Sequence, residues 1–170
     1  RYTVIENASG DFQEAGAELH DVQPQVTVMV TEPTLLVEEL YKVETLLDPV
    51  ALRRRICDAA VDTMVERTGA LRTGTGGTLL VLDLPVPARS PLGIQDTAIE
   101  LGLRACIERI NAEFSRRIRA LPRVRLVSFS SVVARVGDAA HDVEMANLGA
   151  SHWSAQVFRE MGNELTRHVY

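Results

Sequence analysis

The hydrophobic and polar positions of this chain follow two alternating patterns. Short runs rich in β-branched and other apolar residues occur at 24–30 (PQVTVMV), 78–82 (TLLVL) and 124–129 (VRLVSF). Runs of this length and composition predict buried strands of a parallel sheet. Between them, apolar residues recur three or four positions apart, which predicts amphipathic helices. The alternation of the two patterns predicts an α/β fold whose parallel sheet is covered by helices on both faces.

Capping and breaking residues delimit the predicted helices. Asp48 is a suitable N-cap for one long helix, and Gly69 is expected to end it. The longest helix is predicted between about 96 and 120, because Pro122 cannot continue it. A final amphipathic helix is predicted from four apolar residues that share one face: Val157, Met161, Leu165 and Val169.

Composition narrows the class of protein. A chain of 170 residues suits one domain with a proper core, so residues 1–170 are treated as a single domain. A net charge of -5 argues against nucleic-acid binding. No apolar run approaches the roughly 18 residues of a membrane span, and the N-terminus lacks the order of a signal peptide. Cys57 and Cys106 fit buried free thiols in a reducing compartment, which makes the cytoplasm the predicted location.

The strongest candidate chemistry lies in a polar loop ahead of the final helix, where Asp142 and His152 stand. Acyl transfer by a serine needs an imidazole as the base and a carboxylate to orient that imidazole. The alternative is structural: Asp142 lies in a turn, Ser154 caps the final helix, and His152 and Trp153 pack against the sheet. The spacing alone favours this alternative. His141 is a second candidate base, without a helix edge to hold it.

Other candidate sites are weaker. Ser9 and Gly10 follow a predicted strand at the N-terminus, where backbone N–H groups can form an oxyanion hole, although these residues alone favour an ordinary strand-to-helix turn. Asp83 directly follows the 78–82 run. The nucleophilic aspartate of haloacid-dehalogenase-type phosphatases also stands at the end of a strand, but that motif needs a second aspartate two residues later, where this chain has Pro85. The four histidines lack metal-ligand spacing and no phosphate-binding loop is present, so we expect no metal and no cofactor.

The order of these segments resembles an SGNH (GDSL-type) hydrolase domain. Residues 4–10 (VIENASG) match the strand and Asn-x-x-Ser-Gly-like turn of that family's second conserved block. Asp142 and His152 are similar to its last block, although the gap between them is longer than usual. The resemblance implies a three-layer α/β/α fold with a parallel sheet, of the SGNH or flavodoxin-like type. It also implies that His152 is the general base, that Asp142 orients it, and that Gly10 and Ser9 lie on the oxyanion side.

Within that superfamily, the chain looks most similar to the N-terminal domain of FkbH-type proteins. The similarity is carried by 4–13, by 107–114 with Asn111, and by 124–169. Those proteins load a glyceryl unit onto acyl carrier proteins in polyketide pathways, using a haloacid-dehalogenase domain that follows. The resemblance implies a biosynthetic domain that handles acyl or glyceryl groups on a carrier protein. Two alternatives stay open: a stand-alone esterase or acyltransferase with a Ser-His-Asp site, and a non-catalytic docking module for the carrier protein.

Two conserved blocks of the family have no counterpart here. The strand at 28–30 leads into Thr31-Glu32-Pro33 instead of Gly-x-Asn-Asp, a loss that is common in FkbH-like domains. The first strand with its Gly-Asp-Ser nucleophile is also missing. In the family that strand lies between the second and third, and its absence would leave buried backbone groups unpaired. We therefore expect upstream residues, a companion chain or another domain to supply it, and 1–170 to be a piece of a longer protein.

Overall fold

The computed structural model describes residues 12–141 and 153–169, with side chains for 15–141 and 153–168. Helices and strands alternate along the chain as predicted. Within the described ranges, three short 3-10 helices also occur, at Glu38–Tyr41, Gly93–Thr97 and Gly137–Ala140. The α-helices and strands are α1 (Phe12–Val22), β1 (Val26–Met29), α2 (Pro33–Leu36), α3 (Val43–Leu47), α4 (Val50–Gly74), β2 (Thr78–Leu82), α5 (Leu103–Ile118), β3 (Val124–Val127), α6 (Phe129–Val136) and α7 (Ala155–Val169).

The described strands form a parallel sheet in the order β1-β2-β3. All three predicted apolar runs are confirmed as strands, and the parallel direction is confirmed with them. Pairing of Met29 with Val81 and of Leu82 with Val127 aligns the carboxyl ends of the strands. The third run ends earlier than predicted because the Ser128 hydroxyl accepts the N–H of Ser131, which starts α6.

The central strand β2 contributes alternate residues to two hydrophobic clusters. Leu79 and Val81 belong to a cluster that also contains residues of α1, α4 and α5. Leu80 and Leu82 belong to a second cluster, with residues of α6 and α7. Successive side chains of a strand point to opposite faces, so β2 is buried on both faces. The predicted apolar face of the final helix is confirmed for Val157, Met161 and Leu165.

The long helix α4 does not end at Gly69 but continues to Gly74. A glycine inside a helix costs only about 1 kcal/mol, which burial of Ala70 and Leu71 in the next turn can offset. The extra turn brings α4 against α1, where a Cβ at Gly74 would stand 2.0 Å from the carbonyl oxygen of Gly16. Packing of two helices therefore sets this helix end. Asp48 precedes the N-cap, Pro49, and its side chain does not cap the helix.

The helix predicted from about position 96 begins only at Leu103. With 16 residues it is shorter than α4, which has 25, so the prediction that it is the longest helix is wrong. Asp96 is buried, and its carboxylate accepts the N–H groups of Leu103 at 2.8 Å and Arg104 at 3.2 Å. It also accepts the Ser90 hydroxyl at 2.6 Å. Asp96 thus caps α5 from the preceding 3-10 helix, Gly93–Thr97. Gly102 is required at the contact, because a Cβ there would meet the Asp96 carbonyl oxygen at 2.2 Å.

Two buried groups join α4 to its surroundings. Arg53 donates to the carbonyl oxygens of Leu46 at 2.8 Å and Glu100 at 2.9 Å, which ties the start of α4 to the segment before α5. Cys57 and Cys106 are buried as free thiols, as predicted. Hydrogen bonding to Cys57 and burial raise the pKa of Cys106, so this group stays a neutral thiol.

None of the helices in the described ranges is long and apolar enough to cross a membrane.

Candidate functional site

A cleft of about 460 Å³ opens at the carboxyl end of the sheet. Its lining comes from the segments that follow β1, β2 and α6. Ligands of open parallel sheets bind at this end, and small-molecule pockets measure about 300–1,000 Å³. The segments after β1 and β2 thus lie at one edge of the sheet, where the carboxyl ends of parallel strands meet. The lining residues are Glu32, Pro33, Thr34, Tyr41, Pro85, Val86, Pro87, Ala88, Arg89, Gly137, Asp138, His141 and Trp153.

One wall of the cleft, residues 85–89, is fixed at both ends. Before it, the Asn111 side chain accepts the N–H of Leu84 at 2.9 Å and donates to the Leu84 carbonyl at 2.7 Å. After it, the Ser90 hydroxyl donates to Asp96 at 2.6 Å. Pro85 and Pro87 add fixed φ angles between these two anchors. The backbone that carries Arg89 is therefore held in place before any ligand binds.

A second wall is formed by stacked rings. The ring centroids of Trp153 and His141 are 5.1 Å apart at an interplanar angle of 31°, and Trp153 meets Phe129 edge-on at 5.0 Å. His141 and Trp153 also form an antiparallel bridge, and the N–H of Ser154 donates to the Ala140 carbonyl at 2.9 Å. The residues on either side of 142–152, His141 and Trp153, thus meet at the cleft.

Behind the cleft, Asp83 holds the end of β2 to the start of α6. Its carboxylate accepts the Ser130 N–H at 2.8 Å and the hydroxyls of Ser128 and Ser130, both at 2.9 Å. The residue is 7% exposed, so these hydrogen bonds replace water around a buried charge. Asp83 therefore has a structural role, in agreement with its exclusion as a phosphotransfer nucleophile.

Three charged side chains, those of Glu32, Arg89 and Asp138, line the cleft and form no ion pair among the described residues. Glu32 accepts the Thr34 hydroxyl at 3.0 Å, and neither Glu32, Asp138 nor Arg89 pairs with an opposite charge among the described residues. Burial, with a smaller contribution from the negative charge of Glu32, raises the pKa of Tyr41 to about 12. Tyr41 is therefore a neutral hydrogen-bonding group at physiological pH.

The predicted site residues Ser9, Gly10, Asp142 and His152 all lie outside the described residues. The structure brings together the neighbours of the last two, His141 and Trp153, at the cleft. The structural prediction that Ser154 caps α7 is wrong. The hydroxyl of Ser154 finds no hydrogen-bond partner in the described part of the chain, although the residue directly precedes the helix.

Sequence reasoning missed most of the cleft. His141, the second candidate base, has no helix edge to hold it, but its ring lies against the ring of Trp153. Glu32 and Arg89 belong to no motif, and the one available signal was their position shortly after predicted strands.

No group of three His, Cys, Asp or Glu side chains suited to a metal occurs within 12–141 and 153–169. Comparisons with protein-family models, curated proteins and solved structures found no match to the chain.

Proposed function

We propose that this chain is an SGNH-like α/β domain that handles acyl or glyceryl groups on an acyl carrier protein, in a cytoplasmic biosynthetic pathway of the polyketide type. The observation that carries the proposal is the position of the cleft. It lies at the carboxyl end of a parallel sheet, and its walls include the two residues that flank the segment with Asp142 and His152. Such domains gather their reactive groups at this end.

In the proposed chemistry, His152 takes a proton from a serine hydroxyl and Asp142 orients the imidazole. The backbone N–H of Gly10, with Ser9 beside it, stabilises the oxyanion of the tetrahedral intermediate. The apolar part of the cleft, including Val86 and Trp153, holds the acyl group.

The first strand of the family, with its serine, is proposed to come from upstream residues, another domain or a companion chain. One edge of β1 has no partner among the described strands. The side chains of Val28 and Val30, at and just after this strand, are 40% and 62% exposed. An added strand would cover apolar surface of this kind and pair the free backbone groups. The three-layer arrangement of the SGNH fold is part of the same proposal.

Labelling of the intact gene product with a fluorophosphonate probe tests the catalytic form of the proposal. We expect labelling of one serine, which His152→Ala abolishes and Asp142→Asn weakens. His20→Ala, a change at an exposed histidine on α1, is the matched control and should leave labelling unchanged. Labelling that persists in the His152→Ala variant would contradict the assignment of the base. Turnover of p-nitrophenyl esters without any carrier protein would support the stand-alone esterase instead.

A non-catalytic docking module is the second candidate. The described lining of the cleft contains no serine or cysteine, and the hydroxyls of Ser128 and Ser130 behind it already hydrogen-bond to Asp83. In this case the carrier protein binds, the probe labels no serine, and His152→Ala does not change the affinity for the carrier.

A further inference from the structure

We propose that the cleft binds a small zwitterion, with Glu32 and Asp138 contacting its ammonium group, Arg89 its carboxylate, and Trp153 its apolar part. The inference rests on the cleft and not on the catalytic residues proposed above. If both proposals hold, the acyl group handled by this domain carries an amine and a free carboxylate besides the carboxyl group that is bound to the carrier.

The first argument is the separation of unpaired charges. Glu32 follows β1, Arg89 follows β2 and Asp138 follows α6, so each charge comes from a different segment of the cleft lining. Elsewhere on the surface, opposite charges do pair, as in Arg109 with Asp58 at 3.0 Å. The cleft charges form no such pair within the described ranges. A ligand with both signs of charge would satisfy all three side chains, which have no partner of opposite charge among the described residues.

The second argument is the sign of the charge. The cleft lining carries two carboxylates and one guanidinium, so its formal charge is negative when His141 is neutral. A ligand with only a carboxylate is repelled by Glu32 and Asp138, whereas an ammonium group is attracted. Tyr41 and Trp153 add aromatic rings to the same lining, and aromatic faces attract ammonium groups. The cleft therefore favours a zwitterion first, a simple amine second and a simple acid last.

The third argument is preorganisation. Thr34 donates to Glu32 at 3.0 Å, which limits the rotamers of that carboxylate. The backbone before Arg89 is held by Asn111, and Ser90 after it is held by Asp96. Groups that are already positioned lose less conformational entropy when a ligand binds. The carboxylate of Glu32 and the backbone that carries Arg89 are therefore positioned before a ligand binds.

The test uses three ligands that share a phenyl ring and differ in charge. L-phenylalanine carries both groups, 2-phenylethylamine lacks the carboxylate, and 3-phenylpropionate lacks the ammonium. Trp153 is the only tryptophan in the sequence, so its fluorescence reports directly on the cleft, with titration calorimetry as a second readout. We expect phenylalanine to bind about tenfold tighter than the amine, and the acid to bind weakest.

Variants of the chain separate charge recognition from simple packing. Glu32→Gln and Asp138→Asn should each weaken phenylalanine binding about tenfold and strengthen 3-phenylpropionate binding, because each removes a carboxylate that repels the acid. Arg89→Gln should make phenylalanine bind no better than 2-phenylethylamine. Glu66→Gln and Arg119→Gln are matched controls on exposed side chains away from the cleft. Equal binding of the three ligands, or no binding of any, would overturn the proposal. Fluorophosphonate labelling does not use these charges, so the two proposals fail separately.

Discussion

The acidic side chains near the carboxyl end of the sheet fall into two groups. The protein supplies hydrogen-bond donors to one group and leaves the other without an ion pair among the described residues. Asp83 is buried and receives hydrogen bonds from one N–H and two hydroxyls. Glu32 and Asp138 line the open cleft, and no cation among the described residues pairs with either. A charge that the fold fully satisfies stabilises the fold. A charge left unmatched at a cleft is free to recognise a ligand.

The difference follows from the cost of burying a charge. A carboxylate removed from water needs several hydrogen bonds to offset its lost hydration. Asp83 and Asp96 both meet this requirement with three donors each, and each ties one element to another. Glu32 and Asp138 keep contact with solvent and have no such need. Substitutions at the two groups should therefore change different properties.

The largest effect is expected from Asp83→Ala. The change leaves the Ser130 N–H and the hydroxyls of Ser128 and Ser130 without their acceptor. We expect the free energy of unfolding to fall by about 3 kcal/mol, measured by urea denaturation. Asp83→Asn keeps one acceptor and should lose roughly 1 kcal/mol. Asp138→Ala is the control and should stay within about 0.5 kcal/mol of the wild type. Equal losses at positions 83 and 138 would remove the distinction between the two groups.

A smaller loss is expected from Asp96→Ala, which removes the cap of α5 and the anchor of Ser90. Loss of an N-terminal cap costs about 1 kcal/mol, and the buried N–H of Leu103 left without an acceptor adds a similar amount. The expected total is about 2 kcal/mol by urea denaturation. Because Ser90 follows the cleft wall, this variant should also weaken ligand binding. A stability loss with unchanged binding would show that the wall needs no anchor.

The smallest effect concerns Tyr41 and alkaline pH. Its pKa is raised from 10.0 to about 12 in the folded protein, so the unfolded state loses this proton first as the pH rises. The contribution of Tyr41 to stability is complete below pH 10 and is lost as the pH rises towards 12. Tyrosinate absorbance of the wild type minus that of Tyr41→Phe should show a step centred near pH 12. A step centred near pH 10 would mean that Tyr41 is solvated like a free tyrosine.

The sequence pattern predicts the strands well and some helix ends poorly, for a physical reason. The run at 78–82 is uninterrupted, buried on both faces, and matches β2 from Thr78 to Leu82. The end of α4 depends on contact with α1 at Gly16, and the start of α5 depends on Asp96 capping from outside the helix. Such contacts between distant segments override local propensity.

For the candidate site, the pattern predicts where the cleft lies but not which side chains define it. Parallel strands bring their carboxyl ends to one edge, so the turns after β1 and β2 are expected there. Glu32 and Arg89 meet at the cleft only through the fold, and neither carries a local sequence signal. His141 depends on Trp153, a partner distant in sequence. The roles of Asp142 and His152 stay predictions.

The most direct test of the account is urea unfolding of three proteins, each with and without L-phenylalanine at about 100 times its Kd for the wild type. We predict that the ligand raises the free energy of unfolding of the wild type by about 2.7 kcal/mol. It should raise that of Asp83→Asn by the same amount, although this variant is less stable than the wild type without the ligand. Glu32→Gln should keep the wild-type baseline and lose about half of the ligand effect. A normal ligand effect in Glu32→Gln, or its loss in Asp83→Asn, would contradict the division between structural and ligand-binding charges.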